Sequence, residues 1–258
     1  MNDKTKHIQK IKKYLTVLEK EKGIQILLAC ETGSRAWGFP SPDSDFDVRI
    51  IYKHPTDWYL SLTEEKDTME CFYENRDIDI SGWDVRKCLR LLWKSNASLL
   101  ERIQSPMVYH AEQDFLTGIN AIAQNTYSKI ATIHHYLSMA KKTLEELLST
   151  NDYKLKKFFY ALRTSTACLW ILQREEIPPI EFGKMVDGLD LPKELTHRIN
   201  ELIALKSIKS ETYMHHGEQE LIAFMKSCIS KADNESSKLP ASKGKMSELN
   251  EFFRYTLG

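Results

Sequence analysis

The sequence predicts an α+β chain in which strands and helices alternate first and helices alone follow. Three short runs, residues 24–30, 45–52 and 77–80, are apolar or alternate between apolar and polar, and each is bounded by turn residues. Beyond residue 110 the spacing changes to a helical period, and long stretches such as 114–150 and 152–173 contain few turn residues. With 258 residues, 42% of them apolar, the chain is long enough to bury a full core without staples. We divide it into a first domain, 1–108, and a helical domain, 109–258.

Ile8, Ile11, Leu15 and Leu18 recur at helical spacing among lysines and glutamates, so residues 4–21 form an amphipathic helix ended by Gly23. Residues 24–30 are a buried strand that stops at Glu31-Thr32-Gly33-Ser34. A turn-rich loop, 39–44, leads into a half-buried strand with Asp45, Asp47 and Arg49 on one face and Phe46, Val48 and Ile50 on the other. The third run, 77–80, ends at Gly82 and enters a helix over 84–93, for which Asp84 is the expected N-cap.

In the second half Pro178, Pro179 and Pro192 punctuate helices over 114–150, 152–173, 195–205 and 218–229, and no strand is expected there. Residues 230–245, rich in Ser, Lys, Asp and Asn, read as a flexible linker, and Met246, Leu249, Phe253 and Leu257 mark a short closing helix.

Thirty-six basic and 36 acidic side chains cancel, so net charge draws the chain to neither nucleic acid nor an anionic membrane, and such binding must be local. Five cysteines without a C-x-x-C pair argue against a disulfide framework or a zinc knuckle. The first thirteen residues are too charged for a signal peptide, and no apolar run approaches the ~20 residues of a membrane span. A soluble cytoplasmic protein is expected.

Two aspartates one residue apart on a strand project from the same face and can share divalent cations, as phosphoryl and nucleotidyl transfer require. Asp43, Asp45 and Asp47 also imitate the start of a calcium loop, but Val48 and His54 stand where that loop needs glycine and glutamate. Gly33 and Ser34 follow a buried strand and precede residues 35–37, which could open a helix toward an anion; glycine there permits close backbone approach to phosphate. No P-loop or G-x-G-x-x-G pattern competes.

Strand, Gly-Ser turn, loop of about ten residues and D-x-D together resemble the DNA polymerase beta-type nucleotidyltransferase superfamily. More narrowly, Gly33-Ser34-Arg35-Ala36-Trp37-Gly38-Phe39, Ser44-Asp45-Phe46-Asp47-Val48-Arg49 and Asp79-Ile80-Ser81-Gly82-Trp83-Asp84 resemble the RlaP-like nucleotidyltransferases linked to RNA repair. The resemblance runs from about residue 20 to the carboxyl terminus. It implies a nucleotidyltransferase-type small mixed sheet with helices, followed by an all-α domain. It also implies an activity of EC 2.7.7 type, which moves an NMP from a nucleoside triphosphate such as ATP to an acceptor hydroxyl and releases pyrophosphate. Asp45 and Asp47 would be metal ligands for Mg²⁺ or Mn²⁺, two ions in all, with Asp79 as third carboxylate and catalytic residue, and Gly33 and Ser34 as the phosphate-contacting turn. An RNA 3′ end is the implied acceptor. A protein acceptor, AMPylated in an antitoxin-like manner, and a catalytically silent nucleotide-binding module are the alternatives.

Asp77 shares a strand face with Asp79, and Asp79 is preferred because it lies nearer the strand's carboxyl end. Arg35 is placed on the active side and is a candidate for nucleotide binding; Arg49 is expected to pair structurally. Lys156, Lys157, Tyr160 and Arg163 fall on about a third of one helix's circumference, a stripe on which a triphosphate and a base could lie, and the resemblance assigns it to nucleotide binding. His134-His135 and His215-His216 lack a metal-binding pattern, and Trp37, Trp83, Tyr136 and Trp170 read as core or domain-interface aromatics. Oligomeric state has no signature in the sequence.

Overall fold

The computed structural model describes residues 3–74, 77–241 and 244–258. It begins with α1 (Asp3–Lys22) and β1 (Gln25–Glu31), followed by a one-turn α2 (Gly33–Trp37) and β2 (Phe46–Lys53). After the short α3 (Thr56–Tyr59) come β3 (Thr68–Tyr73), β4 (Ile78–Asp84), α4 (Val85–Trp93), α5 (Ala97–Ile103) and β5 (Val108–Ala111). The five strands form one mixed sheet in the order β3-β4-β2-β1-β5, in which β2 and β4 run parallel and the other neighbours antiparallel. An α+β chain with a small mixed sheet is the architecture the sequence predicts.

Strand alternation sorts the two faces. Phe46, Val48, Ile50, Ile78 and Ile80 pack with Ile11, Leu15 and Leu18 of α1. The opposite face carries Ile51 into a second core with Val85, Leu89 and Leu92 of α4 and Leu99 and Leu100 of α5. Asp47, Arg49, Asp79 and Ser81 occupy this second face at the strands' leading ends, beyond the reach of those apolar side chains.

The helical half comprises α6 (Gln113–Thr126), α7 (Lys129–Leu148), α8 (Leu155–Arg174), α9 (Phe182–Asp187), α10 (Lys193–Ile208), α11 (Gln219–Glu235) and α12 (Met246–Leu257). The stretch 114–150 is two helices rather than one: Ser128 interrupts it, its hydroxyl accepting from Ala131 N as the N-cap of α7. A two-residue ladder, β6 (Tyr153–Lys154) with β7 (Met214–His215), corrects the expectation that strands are absent here. Within the expected linker 230–245, residues through Glu235 continue α11 and Ser236–Lys238 add a 3-10 turn; Ser242 and Lys243 lie outside the described residues.

β5 joins the sheet beside β1, and α12 returns to pack against α4 and α6, with Phe252 stacked on Phe115. Trp37 and Phe39, which follow the β1 turn, are buried among Phe158, Phe159 and Phe182 of the helical half. The segment between β1 and β2 is therefore anchored at both ends, by the sheet and by the helices. No described helix is long and apolar enough to cross a membrane.

Candidate active site

Asp47 is fixed through its backbone before its side chain is considered. Its amide donates to Glu31 Oε1 at 2.6 Å, and its carbonyl accepts from Thr32 N at 2.9 Å and from Thr32 Oγ1 at 3.2 Å. Glu31 is fully buried and is also held by the Tyr109 hydroxyl. Burial raises its carboxyl to about 7, against the opposing pull of those hydrogen bonds.

Gly33 takes φ +66, the left-handed region that favours glycine, and a Cβ there would overlap Asp47 Oδ2. Close approach between this turn and the carboxylate is thus a property of having no side chain. Gly33→Ala is expected to lower stability by about 1–3 kcal/mol and to displace Asp47, with at least a tenfold loss of any activity that needs it. Thermal denaturation alongside a turnover assay checks both.

The parallel register sets Asp79 directly beside Asp47, whereas Asp77 lies before β4, its carbonyl accepting from Phe46 N. Arg49 Nη2 bridges the pair, 2.9 Å from Asp47 Oδ1 and 3.0 Å from Asp79 Oδ2, which is the structural pairing expected of it. The other Asp79 oxygen, Oδ1, is buried with no hydrogen-bond partner. Burial, with the charges of Asp79 and Asp45 adding to it, pushes the Asp47 carboxyl above the usual range; Asp45 is raised by burial and by Glu211.

No three His, Cys, Asp or Glu side chains among the described residues converge on one point, and Arg49 lies between two of the candidate carboxylates. An orphaned buried oxygen on Asp79 and the repulsion that Asp47 feels from Asp79 and Asp45 nevertheless fit a hard divalent cation, which takes oxygen ligands and relieves both.

Ser34 and Arg35 face the loop before β2. Ser34 Oγ donates to Ser44 Oγ at 3.1 Å, and Arg35 donates to the carbonyls of Ser44 at 2.6 Å and Asp45 at 3.1 Å while stacking over Phe46. Arg35 thus braces the turn that presents Asp45, and it lines a cavity of about 390 Å³ with Asp43, Asp45 and Asp77. The same loop is clamped by the helical half: Ser44 Oγ donates to Glu211 Oε1, Glu211 N donates to Asp43, and Lys206 Nζ donates to Ser41 Oγ.

The stripe on α8 divides. Lys156 pairs with Glu211 at 2.6 Å, near enough to the carboxylates to feel Asp47, and Tyr160 lines a second cavity, of about 330 Å³, together with Gly33, Asp47 and Arg49. Lys157 points to an outer rim, 3.8 Å from Glu146. Arg163 is corrected: it is 2% exposed, under the Trp37 ring at 4.0 Å and paired with Glu101 at 2.8 Å, so it holds the core rather than a nucleotide.

Asp84 is the N-cap of α4, accepting from Arg86 N at 2.8 Å, as its position predicts. Glu31, Glu101, Arg102 and Glu211 were not singled out by sequence. Glu31 carries the one available signal, a carboxylate ending an otherwise apolar strand; Glu211 sits in a stretch with none.

The chain is similar to several known proteins. A protein from Bacillus subtilis (strain 168), YcgL, described as uncharacterized, is 35% identical over 250 residues, covering 96% of each chain. Among solved structures, a nucleotidyltransferase-like protein from Exiguobacterium sibiricum 255-15 aligns with 95% of this chain and 79% of its own at 11% identity and a TM-score of 0.34. Spectinomycin adenyltransferase AAD(9) from Enterococcus faecialis, solved with ATP and spectinomycin, aligns with 89% of this chain and 99% of its own at 10% identity and a TM-score of 0.47. The family profile described as RNA repair pathway DNA polymerase beta family matches residues 8–255. The chain therefore belongs to RlaP, the RNA repair pathway DNA polymerase beta family, a family of nucleotidyltransferases.

Proposed function

We propose that this protein transfers an NMP from a nucleoside triphosphate to the 3′ hydroxyl of an RNA in a reaction that depends on Mg²⁺ or Mn²⁺. The observation that carries the proposal is the register that sets Asp79 beside Asp47 under the Gly33 turn, with one Asp79 oxygen buried and unpartnered. Asp45 and Asp47 would hold the divalent ions, with Asp79 completing the set. Bound there, such ions neutralise phosphate charge and make a nearby hydroxyl more acidic.

The remaining work falls to the chain's own groups. The turn at Gly33 lets the Asp47 carboxylate lie against the backbone where a Cβ would stand, and Gly33 and Ser34 would contact the phosphates beside it. Lys156 and Tyr160 flank that position from α8. Asp79, beside Asp47, would also assist deprotonation of the attacking hydroxyl. A new bond forms between the acceptor oxygen and the α-phosphorus, the α–β bridging bond breaks, and pyrophosphate leaves with its electron pair. Arg49 holds Asp47 and Asp79 in place before substrate arrives and can turn to phosphate afterwards.

Pyrophosphate release tests the acceptor. The full chain, an NTP, Mg²⁺ or Mn²⁺ and an RNA with a free 3′ hydroxyl should release pyrophosphate, and periodate oxidation of that RNA should stop the release. Release that ignores periodate but requires added protein would replace the RNA end with a protein acceptor.

A further inference from the structure

Arg102, on α5, is a buried cation that no carboxylate balances among the described residues. Its side chain belongs to a residue only 4% exposed. Nη1 donates to the Ile50 carbonyl at 2.9 Å, Cζ lies 3.7 Å from the centroid of the Trp83 ring, and Nε is buried without a hydrogen-bond partner. Arg163, equally buried, shows what a purely structural arginine has in this fold: a carboxylate at 2.8 Å. Burial pulls the Arg102 guanidinium down to about 10, a sign that its charge is held against a desolvation cost. Buried charges are ordinarily paired, and an unpaired one facing a cavity points to a ligand that supplies the partner.

The cavity it faces is the one of about 330 Å³ that shares Asp47 with the carboxylate site. The other charged groups on its wall each have an oppositely charged partner in contact. Arg49 bridges Asp47 and Asp79, and Glu101 accepts from Arg163, Tyr136 and Trp37. Arg102 is therefore the wall's cation without a carboxylate in contact among the described residues, set with the hydroxyls of Ser81 and Ser98 and with Tyr160 around the same cavity. A guanidinium fork with hydroxyl donors around it suits phosphate oxygens, and the volume admits one phosphate with an attached ring.

We propose that this cavity is a phosphate subsite on the acceptor side of the reaction, read by Arg102, and that the acceptor carries a phosphate close to the hydroxyl that reacts. The placement on the acceptor side rests on the nucleotidyl-transfer reading above. The phosphate could be the monoester of a free mononucleotide or the last diester of a polynucleotide end, and the two share this chemistry.

Calorimetric titration of the full chain in EDTA, without divalent ions, separates subsite from catalysis. The probes are adenosine, 5′-AMP and the dinucleotide ApA. The phosphorylated probes are expected to bind at least tenfold more tightly than adenosine. Arg102→Met should bring that preference to within twofold while adenosine affinity stays unchanged, and its melting temperature without ligand should equal or exceed the wild type's, because an unmatched buried charge has gone. Arg102→Lys, which keeps the charge but not the fork, should retain an intermediate preference. Tighter binding of ApA than of AMP assigns the phosphate to a polynucleotide end, and the reverse to a mononucleotide. An undiminished preference in Arg102→Met overturns the proposal, as does one in Arg102→Lys should the methionine variant not fold. A fall in melting temperature with loss of adenosine binding makes Arg102 structural and overturns it too. Arg102-dependent preference in a protein that transfers no nucleotide would remove the transferase reading and leave the subsite standing.

Discussion

Asp47→Asn is expected to lower nucleotidyl transfer by about a thousandfold or more, equivalent to ~4 kcal/mol of transition-state stabilisation. The substitution keeps volume, the backbone bonds to Glu31 and Thr32, and the fit against Gly33. What it removes is the negative charge that would hold a divalent ion. Because burial and the neighbouring carboxylates already raise the Asp47 carboxyl, its loss relieves repulsion even as it weakens the bridge to Arg49. The two effects oppose each other, so the melting temperature should move by only a few degrees. Initial rates of pyrophosphate release, with circular dichroism to show that the fold is retained, separate chemistry from stability. Activity within tenfold of wild type would detach Asp47 from the reaction.

Glu101→Ala is expected to cost about 3–5 kcal/mol of stability. Glu101 Oε1 accepts from Arg163 and from the Tyr136 hydroxyl, each at 2.8 Å, and Oε2 accepts from Trp37 Nε1 at 3.1 Å. One buried carboxylate on α5 thus joins α8, α7 and the segment after the Gly33 turn. Truncation leaves a guanidinium that is 2% exposed without a counter-charge and orphans two further donors. Urea denaturation measures the loss, and at ~2–4 °C per kcal/mol the melting temperature should fall by roughly 10 °C. The double variant Glu101→Leu/Arg163→Met should recover much of it, since an apolar pair of similar volume carries no unpaired charge. A loss below about 1 kcal/mol in the single variant would mean that Arg163 escapes to water instead of staying paired.

Much of the first half was legible in sequence because period-two patterning is strong where one face packs on a helix. Residues 46–52 announce both their strand and their two faces, and the D-x-D on one face follows from that alone. β3 and β5 escaped notice: β3 pairs only along one edge and its Met69, Cys71 and Tyr73 face is only partly buried, and β5 is four residues long, so each gives a weak signal. The division of 114–150 into two helices turned on one serine, whose capping role depends on a backbone break that composition does not reveal.

The candidate site divides in the same way. Its carboxylates and its glycine turn are local motifs, whereas its supports are tertiary. Glu211 reaches Ser44 and Lys156 across more than fifty residues of chain in either case, and nothing in its neighbours marks it. Arg163 shows the opposite failure. Helical spacing correctly put it on one side of α8 with Lys156 and Tyr160, but spacing says nothing of which part of that side is covered, and a buried glutamate on another helix had claimed it.

The most direct measurement follows the phosphorus. The full chain, with Mg²⁺ or Mn²⁺ and an RNA bearing a 3′ hydroxyl, is given ATP labelled at the α-phosphorus in one reaction and at the γ-phosphorus in another, beside an Asp45→Ala/Asp47→Ala control. Nucleotidyl transfer at these aspartates requires α label on the RNA, γ label in pyrophosphate, and neither with the double variant. Label on RNA from the γ position, or transfer that survives loss of both aspartates, would contradict it.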